Sequence, residues 1–156
     1  MFQLNLPTYQ FRIEQEGKKY LILDIFRKKY VKLTPEEWVR QNFLHFFVED
    51  RGFPAELLAI EKQLLLNGMK KRCDAVFYNT WAEPEIILEF KSPNVKLTQD
   101  VFDQVAVYNT KLRVDFFIIS NGREHYCCKV NGNDGRYDFL DKIPTFEQMR
   151  QLSLRI

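Results

Sequence analysis

The segment 114–120 constrains the fold most strongly, because almost all of it is apolar and residues 116–119 read Phe-Phe-Ile-Ile. A β-strand that is apolar on both faces must be covered on both sides, as in sheets that lie between layers of helices. A transmembrane helix needs about 20 apolar residues, so this segment is too short to span a membrane. It therefore predicts an α/β fold whose sheet is covered on both faces.

A helix earlier in the chain is predicted by the run Thr34-Pro35-Glu36-Glu37. Threonine can cap a helix, proline suits its first turn, and acidic residues complement its positive end. We expect this helix to end near Asp50. The other elements are predicted as strands at 57–66, 70–78 and 85–91, a helix at 98–112, strands at 114–120, 124–130 and 137–140, and a helix at 145–152. The order of helix, three strands, helix and two strands predicts a mixed central sheet flanked by helices.

Two strand-like segments, 9–16 and 19–26, precede the first helix and flank a Glu-Gly-Lys turn, which predicts an N-terminal β-hairpin. The chain has 156 residues and no internal repeat or long linker, so we expect a single domain spanning 1–156. Its predicted parts are a hairpin extension at 1–33, a core at 34–130, and a C-terminal strand and helix at 131–156.

Composition and charge exclude several classes of protein. The three cysteines form no CxxC pair, so we expect a reduced, cytoplasmic protein without a disulfide framework. No signal peptide or membrane span is recognisable, and no membrane partner is expected. The net charge of +2 does not by itself indicate a nucleic-acid-binding protein, but basic residues cluster within 18–32 and at 70–72. These clusters predict a surface that follows phosphates, with ordinary solvated faces as the alternative.

The residues that carry chemistry are predicted to be Asp74, Glu89 and Lys91. Alternate side chains of a strand share a face, so Glu89 and Lys91 lie side by side, and pairing of strands 70–78 and 85–91 brings Asp74 close to Glu89. Two carboxylates so close raise one pKa unless a cation binds. Mg²⁺, or Mn²⁺, prefers oxygen ligands and often takes only one or two carboxylates. We expect Asp74 and Glu89 to bind the metal and Lys91 to act on water or phosphate; an ordinary salt bridge is the alternative.

In this order the three residues resemble the D…ExK core of the PD-(D/E)xK nuclease superfamily, whose restriction-endonuclease-like fold has an α-β-β-β-α-β core. The residue before the aspartate is Cys73, where the family often has proline. The first helix of that fold usually supplies an acidic residue to the site. Glu36 matches this position, on the predicted inward face and four residues before Arg40, with Glu37 as the alternative acid. Both glutamates have a simpler interpretation as partners of the helix dipole.

Gln104 and Tyr108 lie one turn apart on the second predicted helix, among apolar residues. A glutamine in such a stripe needs a hydrogen-bond partner. The pair resembles the QxxxY motif that follows ExK in RecB-type nucleases, and a satisfied pair in the core is the alternative. The resemblance implies that both residues support the site or contact substrate phosphate.

Five segments carry a narrower resemblance, and they read TPEEWVRQ at 34–41, KRCD at 71–74, EFKSP at 89–93, QVAVYN at 104–109 and SNG at 120–122. Together they resemble the N-terminal nuclease domain of type I restriction enzyme R subunits, in the small variant found as stand-alone bacterial proteins. The resemblance covers roughly residues 20–135. It implies a Mg²⁺-dependent endonuclease that hydrolyses DNA phosphodiester bonds, and Lys70, Lys71 and Arg72 are the expected backbone contacts.

The expected partners follow from the same resemblance. R subunits carry a helicase motor after the nuclease, but this chain contains no GxxxxGK[ST] phosphate loop. We therefore expect DNA and a separate motor or specificity subunit as partners, and a homodimer where both strands are cut. The alternative function is a non-catalytic or partner-activated DNA-binding or assembly module that retains the fold.

Overall fold

Nine strands and three α-helices make up the computed structural model of the protein, within the described residues 2–132 and 135–153. In chain order they are β1 (Ile13–Glu16), β2 (Lys19–Asp24), β3 (Lys29–Lys32), α1 (Pro35–His45), β4 (Leu58–Leu66), β5 (Met69–Tyr78), β6 (Pro84–Phe90), α2 (Gln99–Leu112), β7 (Phe116–Ser120), β8 (His125–Asn131), β9 (Arg136–Leu140) and α3 (Phe146–Ser153). The predicted elements from the first helix onward are all present, with ends that differ by only a few residues.

A six-stranded mixed sheet, β4 to β9, has its strands side by side in chain order. Only β6 and β7 are parallel, and α2 connects them; the other neighbours are antiparallel. A parallel pair needs such a crossover, whereas antiparallel neighbours need only a turn. The predicted α-β-β-β-α-β order and mixed sheet are therefore confirmed, with β8 and β9 extending the sheet.

The sheet is covered on both faces, as the apolar segment predicts. Every residue of β7 is buried. One face is covered by Phe43 of α1 and by Phe47 of the helical turn that follows it, neither of which is exposed to solvent. On the other face α2 contributes Val105 and Tyr108. Burying a phenylalanine side chain contributes about 1.5–3 kcal/mol, so these two layers fix the helices on the sheet. No helix of the described residues is long and apolar enough to cross a membrane.

The first helix begins as its sequence predicts. The Thr34 hydroxyl accepts a hydrogen bond from the Glu37 backbone N–H at 3.0 Å, and Pro35 occupies the first turn. The predicted helix to residue 50 is confirmed in extent, but its last turn, Phe46–Asp50, is a π-helix. On α2, by contrast, Thr98 occupies the capping position without a side-chain hydrogen bond.

The N-terminal extension differs from its prediction. It is a three-stranded antiparallel sheet in the order β1-β2-β3, and not a two-stranded hairpin. The first strand begins only at Ile13, and Lys29–Lys32 adds the third strand by pairing with β2. That third strand was missed because its sequence, Lys-Tyr-Val-Lys, is short and mostly exposed, so it carries almost no apolar pattern.

The part of the extension that precedes β1 packs against the turn that follows β7. The Asn5 backbone N–H donates to the Gly122 carbonyl at 2.8 Å. Gly122 has φ +86°, and a Cβ atom there would lie 2.6 Å from the Leu4 side chain, so only glycine fits. At the end of β7 the Ser120 carbonyl accepts from the Lys91 backbone N–H at 3.0 Å. This turn therefore joins the N-terminal segment to the end of β6.

Candidate active site

The backbone pairing between β5 and β6 ends at Asp74 and Glu89, whose side chains form hydrogen bonds with the backbone there. The last recorded pair towards this end is Ala75 with Leu88. One residue further, the Asp74 backbone N–H donates to Glu89 Oε1 at 3.0 Å, and the Phe90 backbone N–H donates to Asp74 Oδ2 at 2.7 Å. Each carboxyl group thus takes the place of a missing strand partner. The predicted convergence of Asp74 and Glu89 is confirmed as geometry.

Burial and mutual proximity disturb the protonation of both acids. Glu89 is 4% exposed, and burial together with the Asp74 charge raises its pKa from 4.5 to about 8. Burial also raises the Asp74 pKa, although the Phe90 N–H and the Arg40 charge oppose that rise. Each carboxyl group accepts one backbone N–H, and the two acids are close enough that a second negative charge on the pair is costly. Near pH 7 the metal-free pair therefore retains a proton.

Lys91 lies just beyond the end of β6 and contacts α2. Its Nζ is 3.4 Å from Gln104 Oε1, and Gln104 Nε2 donates to the Tyr108 hydroxyl at 3.1 Å. Tyr108 is buried, and its pKa is raised by burial and by the Glu89 charge. Gln104 is exposed at the rim, not inside the apolar stripe as predicted. Lys91, Gln104 and Tyr108 nevertheless form one connected group.

The two acids at the start of α1 have different environments. Glu36 is exposed, so its predicted place on the buried face is wrong, and Glu37 is the buried one, at 5% exposure. The pKa of Glu36 is nonetheless raised, by partial desolvation and by the Asp74 charge. Glu37 binds arginines instead, and Glu36 is therefore the acid of α1 that remains available at the open side of the site.

A buried network of charges beside the acid pair was not predicted from the sequence. Glu37 Oε1 lies 2.6 Å from Arg40 Nη2, and Glu37 Oε2 lies 2.7 Å from Arg27 Nη2. Although burial raises the Glu37 pKa, these hydrogen bonds bring it below its ordinary value. Glu61 Oε1 contacts both arginines, at 3.0 Å from Arg27 and 3.3 Å from Arg40. Arg40 Nη1 then reaches Asp74 Oδ1 at 3.8 Å.

Glu61 owes its position to an irregularity in β4. Residues on either side of it pair regularly with β5, Ile60 with Ala75 and Lys62 with Cys73, and Glu61 itself has φ +57°. A non-glycine residue in the left-handed region is uncommon, and here it interrupts the regular strand geometry without shifting the register. Glu61 lies opposite Asp74, and nothing in the sequence predicts this conformation.

The basic residues of β5 lie on the long hairpin that β4 and β5 form. Lys70 and Lys71 are exposed and pair with β4 residues near the Asn-Gly turn. Arg72 is also exposed, but its guanidinium contacts Glu61 at 3.1 Å. The basic cluster predicted within 18–32 needs one correction. Arg27 points inward and contacts three carboxylates, so it does not belong to a free basic surface.

The acid pair fits a divalent cation that prefers oxygen ligands, such as Mg²⁺ or Mn²⁺, better than a metal that needs His or Cys ligands. No group of three or more His, Cys, Asp or Glu suited to a metal occurs among residues 2–132 and 135–153. Mg²⁺ does not need one, because it commonly binds one or two carboxylates and keeps water and phosphate as its other ligands. Asp74 and Glu89 offer hard oxygens, and each uses only one oxygen for a backbone N–H. A cation would also replace the proton that the pair otherwise shares.

The fold and this site define a class: an α/β domain whose mixed sheet presents two carboxyl groups and a lysine at the adjacent ends of two strands. The particular family is the type I restriction enzyme R protein N terminus, whose model matches residues 35–144, and this chain belongs to it. The resemblance found in the sequence is confirmed at this level.

A solved structure is also similar to this chain. It is a fragment described as an HsdR subunit of a type I restriction enzyme from Vibrio vulnificus, with 16% sequence identity and a TM-score of 0.49. The alignment covers 72% of this chain and 24% of that one, so this chain spans about a quarter of the length of the solved fragment. No curated protein matches the chain significantly.

Proposed function

We propose that this chain is a metal-dependent DNA endonuclease domain that hydrolyses phosphodiester bonds. The observation that carries the proposal is the pair of Asp74 and Glu89, in which each carboxyl group accepts a backbone N–H of the facing strand and Glu89 lies two residues before Lys91. Burial raises the pKa of both acids. A buried pair of acids is costly without a cation, and such perturbed groups cluster at functional sites. Membership of the R-subunit N-terminal family supports the same function.

Each residue then has a distinct task. Asp74 and Glu89 would hold Mg²⁺ or Mn²⁺ through their carboxylate oxygens. When bound, such a metal lowers the pKa of coordinated water and polarises a phosphoryl oxygen. Lys91 would orient the attacking water or neutralise charge that develops on the phosphate, as positioned cations do.

The residues around this centre would support it. Gln104 accepts from Lys91 and donates to Tyr108, so the two α2 residues limit where the ammonium group can lie. Glu36 would assist from α1, where its carboxyl is close enough to sense the Asp74 charge. This assignment favours Glu36 over Glu37, because Glu37 is already engaged by two arginines.

DNA is the proposed substrate, with Lys70 and Lys71 as the freer phosphate contacts and Arg72 as a contact that would have to share its guanidinium with Glu61. A separate motor or specificity subunit is a proposed partner, in keeping with the R-subunit family. Two copies of the chain are proposed to act together where both strands are cut.

The test is the cleavage of supercoiled plasmid DNA by the full chain with Mg²⁺ or Mn²⁺, beside a calorimetric titration of each metal. We expect metal binding and conversion of the plasmid to nicked or linear forms, both abolished by a chelator. Metal binding without cleavage of any DNA would favour the partner-activated module. Failure to bind either metal at millimolar concentration would contradict the proposed site.

A further inference from the structure

Arg27 is a residue of the N-terminal extension that reaches into the site's buried charge network. It follows β2 and lies outside the family-matched residues 35–144. Its side chain is only 13% exposed, and its guanidinium contacts three carboxylates at once. Those are Asp24, Glu37 and Glu61, which come from the extension, from α1 and from β4. A single arginine thus joins three parts of the fold.

Two of these carboxylates are shared with Arg40. Glu37 and Glu61 each contact both arginines, so each guanidinium limits where the other can lie. Asp24 is almost fully buried and also accepts the Arg27 backbone N–H at 3.2 Å, which anchors the outer arginine. Arg40 is left with its Nη1 directed to Asp74 at 3.8 Å. The charges alternate along the whole path from the extension to the acid pair.

We infer that Arg27 is a positioning residue for the metal site: by holding Glu37 and Glu61 it keeps the Arg40 guanidinium beside Asp74. The inference rests on the proposed function, in which Asp74 is a metal ligand. Without Arg27, the buried Glu37 would keep one arginine and draw it closer, because an unpaired buried carboxylate is costly. Arg40 would then move away from Asp74, and the Asp74 carboxylate would lose the positive charge beside it. The N-terminal extension is in this sense part of the active site.

The test is Mn²⁺ binding to the full chain, measured by calorimetry at one pH. Arg27→Met removes the guanidinium and keeps the aliphatic stem, and Arg12→Met is the matched control, because Arg12 is an exposed arginine of the same extension. Loss of an outer-shell partner typically weakens metal affinity about 10–100-fold. We expect about tenfold for Arg27→Met, because it acts through a second residue, and no change for Arg12→Met.

A double-mutant cycle separates positioning from a general loss of structure. In the background of Arg40→Met, adding Arg27→Met should leave Mn²⁺ affinity unchanged, because its effect passes through Arg40. An equal loss in both backgrounds would overturn the inference. If Arg27→Met does not fold, Arg27→Lys replaces it, and the affinity should still fall, because one ammonium cannot contact three carboxylates together.

The outcomes also distinguish this inference from the proposed function. If Arg27→Met binds Mn²⁺ as tightly as the parent does, the role of Arg27 is refuted and the proposed metal site still stands. Parent protein that binds no Mn²⁺ would refute the metal site, and the positioning role would fall with it.

Discussion

Replacing Glu89 with glutamine should change how stability depends on pH in the metal-free protein. Glutamine has nearly the shape of the protonated acid, so its amide oxygen can still accept the Asp74 backbone N–H. It differs from the native residue only in that it cannot ionise. Glu89→Gln therefore isolates the cost of placing a second negative charge in this buried pair.

The magnitude follows from the pKa of Glu89, which rises from 4.5 to about 8 on folding. Because the folded chain holds the proton more tightly than the unfolded chain does, this contribution to stability is complete below pH 4.5. It is then lost as the pH rises towards 8, by up to 1.4 kcal/mol for each pH unit. Over the whole window the loss is about 5 kcal/mol, a large part of the stability of an ordinary domain.

The assay is urea denaturation of both proteins at several pH values between 4.5 and 8.5, with a chelator present. We expect the free energy of unfolding of the parent to fall with pH and that of Glu89→Gln to stay much flatter. Glu83→Gln is the matched control, since Glu83 is exposed in the loop before β6 and should leave the slope of the parent unchanged. Equal slopes for parent and Glu89→Gln would refute the reasoning.

Two further predictions concern the metal and the DNA. Mg²⁺ at ten times its dissociation constant should stabilise the parent by about 1.4 kcal/mol. In thermal unfolding without metal, Asp74→Asn should be at least as stable as the parent. The variant should also lose the stabilisation by Mg²⁺. Replacing Lys70 and Lys71 by alanine should reduce the slope of log affinity for DNA against log salt by about two if both contact phosphate; an unchanged slope would assign them to solvated surface.

The central sheet and the acid pair could be predicted from the sequence, because both depend on residues that are close along the chain. Alternate side chains of a strand share a face, which puts Glu89 beside Lys91, and the apolar run identifies β7 as a strand covered on both faces. The short connection between β5 and β6 then makes them antiparallel neighbours, which brings Asp74 opposite Glu89. Each step uses residues that are adjacent on one strand or across one turn.

The parts that were not predicted depend on contacts between distant segments. Arg27 meets its partners Glu37 and Glu61 across 10 and 34 residues, and no periodic pattern relates them. The orientation of α1 was predicted from its apolar stripe, yet its N-terminal turn also faces the extension, which buries Glu37 and leaves Glu36 exposed. The missed third strand, β3, is the same kind of error, because tertiary pairing made a strand of four mostly exposed residues.

The Lys91→Ala variant tests the central claim most directly, because it separates chemistry from metal binding. Lys91 contacts Gln104 and is proposed to act on water and phosphate, whereas the ligands are Asp74 and Glu89. Plasmid cleavage should slow on the order of 10²–10³-fold, the usual cost of losing one charge-stabilising group. Calorimetry on the same protein should find Mn²⁺ affinity unchanged or higher, since a nearby positive charge is gone. Cleavage as fast as the parent would make Lys91 an ordinary ion-pair partner and contradict the account of this site as a nuclease centre.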